Sequence, residues 1–491
     1  MKKLLLSLLL TLTVFFTGCT REESLKQEEF ELTSAEFYDK VEKSFQYGSY
    51  YKTHVIVKFP ETNPDLETIK NACYDFRLPL KITLDFSACS ELTEIPAEWF
   101  KNSLYYTDFN FVFPESLETI NDYAFYGLSA TRNNPIPNNV KNLGKCCYPN
   151  NNKYITKIVI PASVNSIPES LFDVYFNIES VIFPEDSKIT EIPANTFYLC
   201  SNLKSITLPP SVTKIGDRAF SQCTELRNIN LPDTITTFGE WAFSYCNFKS
   251  LRIPANLETI ERNMFAGTDI GTLTIPGTIK KLESAVFSST YVDNVILEEG
   301  IEWLGGDLFG NSPNLKTITI PSTVTFIDPY FNRSNESLET IILADGNKVY
   351  SYDESGALKS VYNTSGEYHL QNYPAAKKDK KVTIGEGIHR LEIGCFYNNP
   401  YIEEIVINPD VVQFCYWCFH GCENVKTLRF TRTTNIEWGF DLSDTMFGSA
   451  SDNNKPKEVT VIVPKGTLAE YQALFERDKP DASVKFTIVE E

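Results

Sequence analysis

Apolar and polar positions along this chain recur with a period of 22 to 25 residues. Leu208-Pro209, Leu231-Pro232, Ile253-Pro254 and Ile275-Pro276 are spaced by 23, 22 and 22 residues. Ile160-Pro161 and Phe183-Pro184 precede them, Ile320-Pro321 follows, and Leu297-Glu298 keeps the register between. A second marker runs in phase: Phe197, Phe220, Phe243, Phe265, Phe287, Phe309 and Phe331. Two independent markers holding phase over many units define a repeat array, not one compact core. Within a unit, Leu203, Ile206 and Leu208 alternate with polar residues, which predicts a half-buried strand. Pro209 removes a backbone donor and ends the pairing. Val212, Ile215, Ala219 and Phe220 follow at turn or helical spacing and are expected to pack back under the strand. No unit can bury its apolar side alone, so neighbouring coils must stack into one continuous core.

Outside the period the pattern changes. His54-Val-Ile-Val-Lys-Phe59 alternates as a strand, and Asn63 to Phe76 carries apolar residues at positions suited to a short amphipathic helix. These segments predict a cap over the first coil's open end. A helix near Leu468–Glu476 and a strand near Val484–Val489 are expected to close the other end. Residues 128–153 are Asn-rich, with Cys147 in the Phe position, and residues 431–458 lose the period.

The first residues read as a leader. Lys2 and Lys3 precede an apolar stretch, Leu4 to Phe16, too short for a span of ~20 residues. Phe16-Thr17-Gly18-Cys19 resembles the lipobox of bacterial lipoproteins, which implies cleavage before Cys19 and its acylation; Thr20 in the next position favours the outer membrane. The net charge of −19, with no basic cluster beyond Lys377-Lys378-Asp379-Lys380-Lys381, argues against nucleic acid as a partner.

The repeat units resemble the BspA-like leucine-rich repeats, written IPxxVxxIGxxAFxxCxxLxxI, from about Leu84 to Phe430. Leu84 to Ile95 looks like a first-repeat signature, Ala344 to Pro374 like an irregular hairpin-bearing repeat, and Val463-Pro464-Lys465-Gly466-Thr467 like a closing segment. The resemblance implies a repeat solenoid, a right-handed superhelix or horseshoe with one β-strand per 22–25-residue coil and an α+β N-terminal cap. Some fourteen coils at ~4.8 Å each would stack to roughly 70 Å. The expected organisation is residues 1–18 signal peptide, 19–31 tether, 32–80 N-terminal cap, 81–343 repeats, 344–383 irregular insert, 384–458 C-terminal repeats and 459–491 C-terminal cap. It also implies a lipid-anchored surface protein of the bacterial outer membrane that binds other proteins in adhesion, with no small-molecule substrate. Polysaccharide binding and a structural role in the envelope stand as alternatives.

Catalytic chemistry has little to stand on. His54, His369, His389 and His420 lie in no metal-pair motif, and no nucleotide loop or nucleophile elbow occurs, so no enzyme activity and no cofactor are expected. Cys89, Cys200, Cys223, Cys246 and Cys422 all stand three residues past the Phe marker, which reads as a ladder of buried thiols and not as disulfides. Cys415, Cys418, His420 and Cys422 have metal-ligand residue types, but the repeat accounts for each cysteine, and no partner pair of ligands is present.

Two binding regions are expected. Outward strand residues, Ser205 and Thr207, Asn228 and Asn230, Ser250 and Arg252, Thr272 and Thr274, Thr317 and Thr319, form a polar, mostly uncharged stripe. It is either a solvated parallel sheet or an extended recognition face. The insert is the second, with Tyr350, Tyr352, Tyr362, Tyr368 and Tyr373 as contacts for a protein, or else a hairpin packed on its neighbours.

Overall fold

The computed structural model describes residues 26–40, 53–74, 81–101, 108–128, 136–148, 154–248, 251–331, 335–361, 367–434, 447, 457–478 and 484–491. The chain winds as a parallel β-solenoid of about 17 turns with few helices. One coil shows how the sequence produces it. In the strand Ser205–Thr207 the central Ile206 is buried, while Ser205 and Thr207 face solvent. The Val212 N–H donates to the Pro209 carbonyl (3.1 Å) and turns the chain. Lys214–Ile215 then forms a second strand of two residues, paired in parallel with Glu191–Ile192 and Thr237–Phe238. A run of tight turns carries Ala219, Phe220 and Cys223 inward, and Leu226 leads into the next strand.

The Phe marker is the axis of the core. Phe197, Phe220, Phe243, Phe265, Phe287 and Phe309 stack nearly parallel, with centroids 5.1, 5.5, 6.0, 5.8 and 5.6 Å apart in turn. Such offset stacks bury large apolar rings with favourable quadrupole geometry. Phe331 ends the run, turned 89° from Phe309. After the strand Thr340–Leu343 comes the insert, where Tyr350–Tyr352, Leu358–Val361 and Tyr368–Asn372 pair as antiparallel strands before the parallel stack resumes at Ile388–Leu391. The buried side chains form two clusters that part at the insert, one ending at Leu358 and the other beginning at Ala357.

A backbone feature is shared by the turns. The residues two before and two after the Phe both take positive φ: Arg218 (52°) and Gln222 (66°) around Phe220, Trp241 (61°) and Tyr245 (57°) around Phe243, Ala285 and Ser289 (both 58°) around Phe287. This alternation points every second N–H along the stack. Arg218, Phe220 and Gln222 donate to the carbonyls of Glu240, Ala242 and Ser244 in the next coil, at 2.9, 2.8 and 2.8 Å.

Two expectations change in number. Fourteen coils become about 17 because the end segments are themselves coils. Lys26–Glu31, in the segment expected as a tether, pairs in parallel with Thr53–Lys58, which pairs with Lys81–Asp85; Lys457–Val463 pairs with Thr427–Phe430 on one side and Val484–Glu490 on the other, so these end strands continue the main stack. The length becomes about 80 Å at ~4.8 Å per strand. Helices α1 (Ser34–Lys40), α2 (Leu66–Tyr74) and α3 (Leu468–Asp478) lie at the two ends of the chain. No helix among the described residues is long and apolar enough to cross a membrane.

Candidate binding face

Outward side chains of the main strands align in two columns because the coils are in register. Ser180, Ser205 and Asn228 form one, and Ile182, Thr207 and Asn230 the other; Thr272 pairs with Asn294, Thr274 with Ile296, Thr317 with Thr340, and Thr319 with Ile342. Ser205, Thr207, Asn228, Asn230, Arg252, Thr272, Thr274, Thr317 and Thr319 are all exposed. Ser250 lies outside the described residues.

The stripe is less polar than its sequence implies. Val159, Ile182, Ile296 and Ile342 occupy the same column as Thr207 and are 42, 40, 44 and 43% exposed. The offset that selects Thr207 selects them too. They are hard to see in the sequence because Val181-Ile182-Phe183 and Ile341-Ile342-Leu343 read as unbroken apolar runs. From Ser180 to Ile342, Arg252 is the one charged side chain in these columns among the described residues, and Asp233 holds its guanidinium at 2.7 and 3.1 Å. Charge gathers instead one residue before the strands, in pairs between neighbouring coils: Lys204 with Glu179 (2.9 Å) and Lys316 with Glu339 (3.9 Å). Past the insert the columns change character. Lys381, Glu404 and Arg429 enter the face and join one another at 3.2 and 2.9 Å.

The insert tyrosines divide. Tyr350 and Tyr373 are buried, which removes them as contacts for a partner. Their hydroxyls are used internally: the Ile327 N–H donates to Tyr350 Oη (2.6 Å), and Tyr373 donates to Asp379 Oδ2 (2.6 Å). Tyr352 is exposed, yet its hydroxyl accepts from the Leu343 N–H (2.7 Å) and donates to the Ile341 carbonyl (2.8 Å). Tyr368 is half-buried under Lys359 (4.2 Å to its ring), and Tyr362 lies outside the described residues. Aromatic crowding in a sequence does not say which way the rings face.

The eleven described cysteines are all free and buried. Cys200, Cys223 and Cys246 donate to the carbonyls of Phe172, Phe197 and Phe220 in the preceding coils, each at 3.2 Å, and Cys422 to that of Phe396 at 2.8 Å. Burial pushes the Cys422 thiol up to about 12 and that of Cys89 to about 11. No group of three or more His, Cys, Asp or Glu among the described residues is placed to hold a metal ion. His420 stacks on Tyr397 (4.7 Å), and His389 Nδ1 bonds to the Gly387 carbonyl (2.8 Å). His54 Nε2 bonds to Thr83 Oγ1 (2.9 Å), its pKa lowered by burial and then by Lys81. His369 Nδ1 meets Glu392 Oε1 at 2.7 Å, and Arg390 Nε bridges Glu392 and Cys415. Cys19 lies outside the described residues.

The family model described as BspA type leucine rich repeat region, in six copies, matches residues 93–227, 213–339, 258–374 and 375–440. No curated protein matches the chain. Similar solved structures include a leucine-rich repeat protein from Bacteroides ovatus, 20% identical over 83% of this chain and 83% of that one, with a TM-score of 0.42. A leucine rich cell surface protein from Faecalibacterium prausnitzii is 18% identical over 72% of this chain and 83% of that one, with a TM-score of 0.35. The pneumococcal vaccine antigen PcpA is 15% identical over 83% of this chain and 91% of that one, with a TM-score of 0.30.

Proposed function

The chain belongs to the BspA type leucine-rich repeat family, and we propose that it binds another protein through the outward face of its main strands between Ser180 and Ile342. The observation that carries this reading is the composition of that face. A long, nearly uncharged surface with aliphatic side chains at regular steps loses little to desolvation when covered, and charge is the feature most depleted at the centre of protein interfaces. The flanking Lys–Glu pairs are exposed and supply a polar rim. Such a face recognises by area and shape, as solenoids do.

The test uses the purified full chain against surface-biotinylated proteins of candidate partner cells. A triple variant, Thr207→Glu, Thr274→Glu and Thr319→Glu, places three charges on the face. Thr237→Glu, on the outward side of the second strand ladder, serves as control. Partners captured by the wild type and the control and lost by the triple variant support the face. Partners that survive the triple variant and disappear with Thr237→Glu overturn it.

In this reading the solenoid works at a bacterial surface, held by acyl chains on Cys19, because the residues before Cys19 have the form of a lipoprotein leader. Metabolic palmitate labelling abolished by Cys19→Ala, together with removal by protease from intact cells, is the expected result. Labelled protein that resists protease would move the molecule to the periplasmic side and favour an envelope role.

A further inference from the structure

Three residues past the Phe, Cys200, Cys223, Cys246 and Cys422 are buried and donate to a carbonyl of the preceding coil, whereas Tyr175 in the same position is buried with its hydroxyl unpaired. Where Cys gives way to hydroxyls the ladder persists: Thr268 donates to the Phe265 carbonyl (2.6 Å), Thr290 to that of Phe287 (2.7 Å), and Ser312 also to Phe287 (2.9 Å). In the next coil one residue is added after Phe331, and the place corresponding to Ser312, five residues before the strand partners Thr317 and Thr340, is taken by Asn335, only 1% exposed. Its Oδ1 accepts from the Ser337 N–H (3.2 Å), but its Nδ2 has no hydrogen-bond partner. The later Asn399 is the contrast. It is equally buried, its Nδ2 donates to the carbonyls of Pro374 (3.1 Å) and Lys377 (3.0 Å), and its Oδ1 accepts from Tyr401 and Ile402. An amide donor left buried and unpaired costs about 1–3 kcal/mol.

Asn335 lines an open groove of about 400 Å³ across three successive turns, within the ~300–1,000 Å³ typical of small-ligand sites. Tyr291 stands on its border with 56% of its surface exposed, and Pro313 adds a second flat apolar surface. Asn311 and Glu336 supply an amide and a carboxylate, the latter held by Asn398 Nδ2 at 3.1 Å. Glu336 brings a carboxylate into the groove, which disfavours an anion there. The polar groups are too many for an acyl chain. An aromatic face, amide donors and a carboxylate acceptor match a neutral ring that is apolar on its faces and hydroxylated round its edge.

We propose that this groove binds a neutral saccharide unit, with Tyr291 stacking on the sugar ring, Asn335 Nδ2 and Asn311 donating to its oxygens, and Glu336 accepting from its hydroxyls. The site is separate from the main-strand face. The sugar could belong to a free polysaccharide or to a glycan carried on a protein; the chemistry recognised is the same.

The experiment is a titration of the full chain with a panel of neutral oligosaccharides built from glucose, galactose, mannose and N-acetylglucosamine, followed by calorimetry. At least one member is expected to bind, and Tyr291→Ala to weaken it at least tenfold with no change in melting temperature, because Tyr291 is exposed. Glu336→Gln, also at an exposed position, is a second variant expected to weaken binding severalfold. No binding across the panel, preference for sulfated or sialylated sugars, or full affinity in Tyr291→Ala would each overturn the proposal. A glycoprotein that binds and loses binding on enzymatic deglycosylation identifies a protein-borne glycan; binding confined to free oligosaccharides identifies a polysaccharide.

Discussion

Arg218, Trp241 and Ala285 share a backbone conformation that a Cβ atom resists, at about 1–2 kcal/mol per residue. It persists because each such residue donates its N–H to the next coil, Ala285 to the Gly306 carbonyl at 2.9 Å. Ala285→Gly is therefore expected to raise stability by ~0.5–1 kcal/mol, since relief of the Cβ clash outweighs the entropy of glycine. Ala219→Gly, at an ordinary φ and fully buried, should lower it by about 1 kcal/mol. Urea denaturation of the two variants gives the comparison, and equal effects would refute the strain account. The thiols make a second prediction at this scale. Burial raises their pKa, so folding favours the protonated form. That contribution is complete below the ordinary value of 9.0 and is lost as pH climbs toward about 11 for Cys89 and Cys146 and about 12 for Cys422. Stability should hold to about pH 9 and fall steeply from there to 11, and a flat profile over that window in circular dichroism would contradict it.

Among elements, the insert is tied to the repeat by its tyrosines. Tyr350 accepts the Ile327 N–H, a donor buried by the hairpin that covers it. Tyr350→Phe leaves that donor unpaired and should cost about 1–3 kcal/mol, read as a shift in denaturation midpoint with unchanged slope. The period in the sequence located the main strands, the Phe axis and the thiol ladder, because each sets one side chain in one recurring environment. It did not reveal the second strand ladder, since two residues such as Lys214-Ile215 are too short to show alternation. Nor did it show the left-handed pairs, whose positions accept Arg, Trp, Ala, Asn or Gly alike because only the backbone is constrained. Asn335 could not have been singled out either, as its missing partner exists only in three dimensions.

At the scale of the whole molecule, the outward strand face and the core both change at the insert. From Ser180 to Ile342 the outward face is nearly uncharged, and the buried side chains before the insert form one cluster; after it Lys381, Glu404 and Arg429 enter the face over a second cluster. One feature of the fold acts along its entire length. The backbone hydrogen bonds between coils run along the stack, from Arg218 to Glu240 and onward in register. Tension applied between the two ends would load these interfaces in series, so the weakest opens first while the others stay closed. A freed coil of ~22 residues can extend to about 75 Å at ~3.4 Å per residue, against ~4.8 Å when stacked. A molecule built this way yields under load by lengthening in steps, as a shock absorber does, before it lets go at either end.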